Sequence, residues 1–218
     1  PPMATEKADK GQVTQALVDY YGNMAQSGPG LLIQEHCFVS PEGRASVHQI
    51  AFDERADLDG LKRITAAVHQ HQVPILAQLS HAGSAAHKAL TGQEPLGPSA
   101  VLNPARTASA YGQPELPRPM AEKDLIRVQD AFASAALRAW EAGYDGVEIH
   151  AAHGYLLNQF YSPLTNKRTD AYTGSTLEGR TRYLREVIQA VRAAVSADFV
   201  VTLRLGGGDY MEGGSRPE

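Results

Sequence analysis

Short apolar runs alternate along most of the chain with longer stretches of helical period. Leu31-Leu-Ile33 begins a buried strand running to about His36, and Pro74-Ile-Leu-Ala-Gln78 is a second. Gly146-Val-Glu-Ile-His150 is a third, and Asp198-Phe-Val-Val-Thr-Leu-Arg204 a fourth. Between them, Thr14 caps a helix carrying Leu17, Tyr20, Tyr21 and Met24, and Leu58, Leu61, Ile64 and Val68 mark a second. Glu122 to Ala142 presents Leu125, Val128, Phe132, Ala135, Ala136 and Ala139 on one side. Ser175-Thr-Leu-Glu178 has the form of a capping box and precedes Leu184, Val187, Ile188 and Val191. Such alternation implies right-handed βαβ units around a parallel sheet.

The rhythm breaks between Leu79 and Pro119, a stretch rich in Pro, Gly, Ser and Asn with no sustained period. Because the alternation resumes unchanged afterwards, residues 84–119 read as an inserted loop or lid within one domain spanning 1–218, rather than as a linker. Each strand also ends in polar residues: Glu35 and His36, Gln78, His150, and Arg204. Convergence of strand ends on one site is the plan of a TIM (β/α)8 barrel, whose active sites lie at the carboxyl ends of its strands. A full barrel needs eight strands and ~250 residues. Four strands predict either an incomplete piece of a barrel or a smaller doubly wound fold.

Composition narrows the function classes. The 218 residues are 43% hydrophobic and 20% charged with a net charge of −4, ordinary for a chain that buries a core. No Lys/Arg cluster suggests a nucleic-acid or anionic-membrane partner, and no apolar run approaches the ~20 residues of a membrane span. Cys37, the single cysteine, allows no intrachain disulfide. A cytoplasmic protein is expected, with homo-oligomerisation left open. Since the chain opens Pro1-Pro2-Met3, its native N-terminus is expected upstream.

The chemistry lies at the strand ends. Strand parity turns Gln78, His150 and Arg204 into one cavity, where an amide, an imidazole and a guanidinium suit a polar, flat, partly anionic ligand. No Ser or Cys sits in a nucleophile setting. His150 and His153 are three apart, so a helical turn after the strand would aim both the same way. They read as paired donors to a carbonyl oxygen, as metal ligands lacking a third, or as satisfied structural histidines. Tyr155 is either a core aromatic or a proton donor beside that pair. His81 reads as structural or secondary, and Gly206-Gly-Gly208 as a turn.

Two motifs carry a resemblance. Glu148-Ile-His-Ala-Ala-His-Gly-Tyr-Leu-Leu-Asn-Gln-Phe160, followed by Ser162-Pro-Leu-Thr-Asn-Lys-Arg-Thr-Asp170, closely resembles the Old Yellow Enzyme family of flavin-dependent ene-reductases. Ala77-Gln-Leu-Ser-His-Ala-Gly83 is similar to its second signature, and Pro2-Met3 to the end of its first barrel strand. The resemblance implies an FMN-binding TIM barrel, here from the end of strand 1 through strand 5. It implies reduction of FMN by NADH or NADPH and hydride transfer to the β-carbon of an enone-type substrate. It implies that His150 and His153 bind the substrate carbonyl and that Tyr155 protonates the α-carbon. Gln78 and Arg204 would hydrogen-bond the flavin, with Pro2, Met3 and Ala4 lining it. Ala4 departs from the Cys or Thr common in the family, and His36 stands where a small residue beside the flavin is usual. The last three βα units, with the family's phosphate-holding loops, lie outside the sequence. Two alternatives remain: a degenerate, non-catalytic barrel module, and a metal-dependent barrel hydrolase using His150 and His153.

Overall fold

The computed structural model describes residues 3–104 and 106–216. Pro2, expected beside the flavin, lies outside the described residues. The elements run α1 (Gln15–Gln26), β1 (Leu32–Phe38), α2 (Leu58–His69), β2 (Ile75–Ser80), α3 (Lys88–Thr91), β3 (Leu96–Gly97), β4 (Arg118–Pro119), α4 (Glu122–Glu141), β5 (Gly146–Ala151), α5 (Leu156–Tyr161), α6 (Leu177–Ala194) and β6 (Val200–Leu205). The four expected strands form one sheet in the order β1-β2-β5-β6, every pair parallel. No helix among the described residues is long and apolar enough to cross a membrane.

Strand alternation divides this sheet into two chemically distinct faces. Ile75, Ala77 and Leu79 of β2 and Val147, Ile149 and Ala151 of β5 belong to the buried core with Leu61, Ile64, Val128 and Phe132 of the helices. Helices α2 and α4 pack on the sheet, with α1 against α2 and α6 against α4. The opposite face carries Gln78, Glu148, His150, Thr202 and Arg204. Sequential helices on one face and polar strand residues on the other are the wall of a barrel.

Three local features depart from the sequence reading. The expected capping box at Ser175 is replaced by a cap at Thr176, whose Oγ1 accepts from Gly179 N–H at 3.1 Å. The Ser175 hydroxyl lies 2.9 Å from Thr173 Oγ1 and is engaged there. Residues 84–119 are not structureless. Leu96 and Gly97 pair with Arg118 and Pro119, so a two-residue parallel ladder joins the two ends of residues 98–117. A bidentate ion pair from Arg118 to Asp124, at 2.8 and 2.9 Å, then ties this base to the first turn of α4.

The third feature is a bulge in β1. Gln34 pairs with Ala77 but His36 with Gln78, leaving Glu35 as an extra residue. Strict alternation would put Gln34 and His36 on one face. Instead Gln34 accepts from the Tyr144 hydroxyl in the buried core side, while His36 turns to the polar face.

Candidate active site

The register stacks the polar face in two tiers. Pairings His36 with Gln78, Gln78 with Glu148 and Glu148 with Thr202 make the lower tier, and His150 with Arg204 the upper. In the lower tier Gln78 Nε2 donates to Glu148 Oε1 at 2.6 Å, which fixes the orientation of the amide. His36 is fixed by a residue that sequence reasoning missed. Gln49 accepts from Ala45 N–H through Oε1 at 2.7 Å, so its Nε2 is the donor to His36 Nδ1 at 2.8 Å. The proton of neutral His36 therefore sits on Nε2.

The chain after β5 brings the rings together without a helical turn. His153 and Gly154 are both left-handed, at φ 59° and 69°, and α5 begins only at Leu156. This reversal folds His153 back to a ring-centroid distance of 4.9 Å from His150. Tyr155 lies edge-on to His150 at 5.3 Å and 5.6 Å from His36. Side chains from α5 and from the 98–117 segment hold the strained turn. Asn158 Oδ1 accepts from Gly154 N–H at 2.7 Å, and Gln159 Nε2 and Asn103 Nδ2 donate to Gly154 O at 2.7 and 2.9 Å. Asn158 and Gln159 stand within the long motif, so that motif was their signal; Asn103 and Arg106, between β3 and β4, had none.

Burial sets the protonation state of the cluster. It lowers the pKa of His150 to about 3, aided by His153, His36, Arg204 and Arg106. His36 falls to about 4, again chiefly through burial, then through His153 and Arg106. His153 is lowered by burial, Arg204 and Arg106. Burial raises the Tyr155 phenol above its ordinary value, while Arg106 pulls it down. Near neutral pH the site thus offers uncharged imidazoles and a protonated phenol. The buried His150 Nδ1 has no hydrogen-bond partner among the described residues. Arg204 likewise makes no hydrogen bond or ion pair there, so its charge is open to an anionic ligand. A cavity of about 440 Å³ beside the cluster is lined by Asn103, His153, Asn158, Arg204 and Gly206 to Gly208.

Other expected residues fall elsewhere. Met3 and Ala4 are exposed, and Met3 borders a groove with Tyr20, Tyr21, Met24 and Leu31 to Ile33, at the amino end of β1. The structure does not bring these two to the histidines. Thr5 comes nearer, donating through N–H at 2.5 Å and Oγ1 at 2.6 Å to the buried Glu35 carboxylate beside His36. His81 is a structural residue: Nδ1 accepts from Gly83 N–H at 2.9 Å, and Gly43 lies flat on its ring, where an added Cβ would stand 2.5 Å from Cδ2. Among the described residues no three His, Cys, Asp or Glu side chains converge as metal ligands.

The depressed histidines give a stability prediction. Both rings are uncharged when folded but protonate near the ordinary imidazole value of 6.5 once unfolded. The unfolded state therefore binds more protons as pH falls from about 6.5 toward about 3, and stability is lost across that window. Each histidine contributes a slope of up to ~1.4 kcal/mol per pH unit there. Urea unfolding of His36→Gln at several pH values is expected to show a shallower decline than the parent, and parallel curves would contradict it.

The comparisons agree with this geometry. A metal reductase from Desulforamulus reducens is 40% identical over 212 residues, 97% of this chain and 30% of that protein. An NADPH dehydrogenase from Halalkalibacterium halodurans is 37% identical over 216 residues, 98% of this chain and 60% of that protein. The old yellow enzyme homologue from Zymomonas mobilis superposes with a TM-score of 0.88 at 31% identity, over 97% of this chain and 59% of that one. The chain thus spans from 30% to 60% of these relatives. Its four parallel strands are part of an Old Yellow Enzyme barrel, with FMN as the family's cofactor and NADH or NADPH as its reductant. Residues 1–216 match the model of the NADH:flavin oxidoreductase / NADH oxidase family, and the chain belongs to that family of FMN-dependent oxidoreductases.

Proposed function

We propose that the protein to which this chain belongs reduces the activated C=C bond of α,β-unsaturated carbonyl compounds, using NADH or NADPH. The observation that carries this reading is the convergence of His150, His153 and Tyr155 at the end of β5, with both imidazoles held uncharged. Two neutral N–H donors can hold a carbonyl oxygen and stabilise the charge that develops on it. This makes the β-carbon electrophilic. Tyr155, still carrying its proton, is the donor to the α-carbon.

The residues present fit the ring of FMN. Arg204 offers a guanidinium without a carboxylate partner among the described residues, suited to the edge where a reduced flavin gathers negative charge. Gln78, oriented by Glu148 in the tier below, offers its amide to the same ring. When bound, FMN supplies the hydride. The chain's own residues bind the carbonyl, orient the double bond and deliver the proton.

Isotope placement tests the reading. Full-length, FMN-loaded protein is supplied with reductant deuterated at the transferable position and an α,β-unsaturated ketone. Deuterium is expected at the β-carbon, and in heavy water with unlabelled reductant at the α-carbon. Failure to reduce any such ketone while FMN is reduced normally would overturn the substrate class.

A further inference from the structure

We propose that Arg106, between β3 and β4, is a positioning residue that holds Tyr155 for proton delivery and stabilises the phenolate left when the proton has gone. The proposal rests on the proton-donor reading of Tyr155 above. The guanidinium carbon of Arg106 stands 4.9 Å from the centroid of the Tyr155 ring, and Nη2 donates to His153 O at 2.9 Å. One side chain thus grips both the donor and the turn that aims it. Its buried Nε has no hydrogen-bond partner among the described residues. Nothing in that contact set neutralises the charge.

The groups facing Tyr155 show why Arg106 is suited to the role. From β1 comes His36 and from β5 His150, both uncharged. Glu6, on the amino-terminal segment, disfavours the phenolate through space. His87, Ser109 and Tyr111 share with Tyr155 and Arg106 a side cavity of about 220 Å³. Arg106 is the group that favours the charged phenol, through the positive charge it holds over the ring. In the step itself the Tyr155 O–H bond breaks and a C–H bond forms at the α-carbon, while the β-carbon gains the hydride. The phenolate then regains a proton from water. A guanidinium over the ring lowers the cost of the intermediate anion.

Arg106→Met and Arg106→Lys separate this from a packing role, with Tyr155→Phe as reference. In reoxidation of the reduced, full-length holoenzyme by an enone, Arg106→Met is expected to lose roughly 5- to 30-fold. Its alkaline limit should move to higher pH, because the phenol holds its proton more tightly without the cation. Arg106→Lys should recover most of both. Ultraviolet titration of the phenol in FMN-free protein, as the difference from Tyr155→Phe, should show the same upward shift in Arg106→Met. A slow Arg106→Met with an unmoved alkaline limit and unmoved titration, or a Lys variant as slow as Met, overturns the proposal. Tyr155→Phe with an undiminished rate instead overturns the donor assignment beneath it.

Discussion

Replacing His150 with Ala is expected to slow reoxidation of the reduced holoenzyme by an α,β-unsaturated ketone by roughly 10²- to 10³-fold, the usual loss when one oxyanion donor is removed. The expectation follows from where the ring sits. His150 is only 2% exposed and its Nδ1 has no partner among the described residues, so its hydrogen-bonding capacity is unspent in a poorly hydrated place. His153 is exposed, and water can replace part of what it gives. His153→Ala should therefore lose less, about tenfold. His150→Asn retains a donor and should fall between the parent and His150→Ala. Rapid-mixing measurement of reoxidation checks all three, and a His150→Ala loss below that of His153→Ala would reverse the assignment of the stronger donor.

Much of this site could be read from the chain because strand parity is a local rule. In β5, Val147 and Ile149 face the helices, so Glu148 and His150 must face the other way, and the structure keeps that division. The same rule fails in β1. An unbroken period would have placed His36 beside Gln34 in the helix-side core, and only the extra Glu35 turns it toward Tyr155. A bulge is one residue of register, and nothing in the composition of Gln34-Glu-His36 announces it. His153 reaches His150 through a left-handed pair rather than the helical turn expected from the three-residue spacing. That spacing predicted the right neighbours by the wrong backbone. Gln49, Asn103 and Arg106 were illegible for a different reason. They lie on loops far from β5 in sequence, and only the tertiary fold brings them to His36, Gly154 and Tyr155.

Gly146 joins the stability of the sheet to the geometry of the site, and Gly146→Ala is expected to destabilise the fold by about 3 kcal/mol. At this first residue of β5 the neighbouring strands close in. A Cβ would stand 2.3 Å from Val200 O, 2.6 Å from Val200 Cβ and 2.8 Å from Leu76 Cδ2. Val200 is the register partner of Gly146, so the clash is with ladder backbone rather than with the movable end of a long side chain. Relief requires β5 and β6 to separate where they begin. The His150–Arg204 pairing four residues on would be disturbed with them. Gly206→Ala is the control. It lines the cavity beside His153 and Arg204, but its added Cβ meets nothing nearer than Asn158 Nδ2 at 3.4 Å. Its cost should stay below ~1 kcal/mol. Urea unfolding of the two full-length variants distinguishes them. Equal midpoints would mean that β5 and β6 give way at Gly146 far more easily than their backbone contact implies.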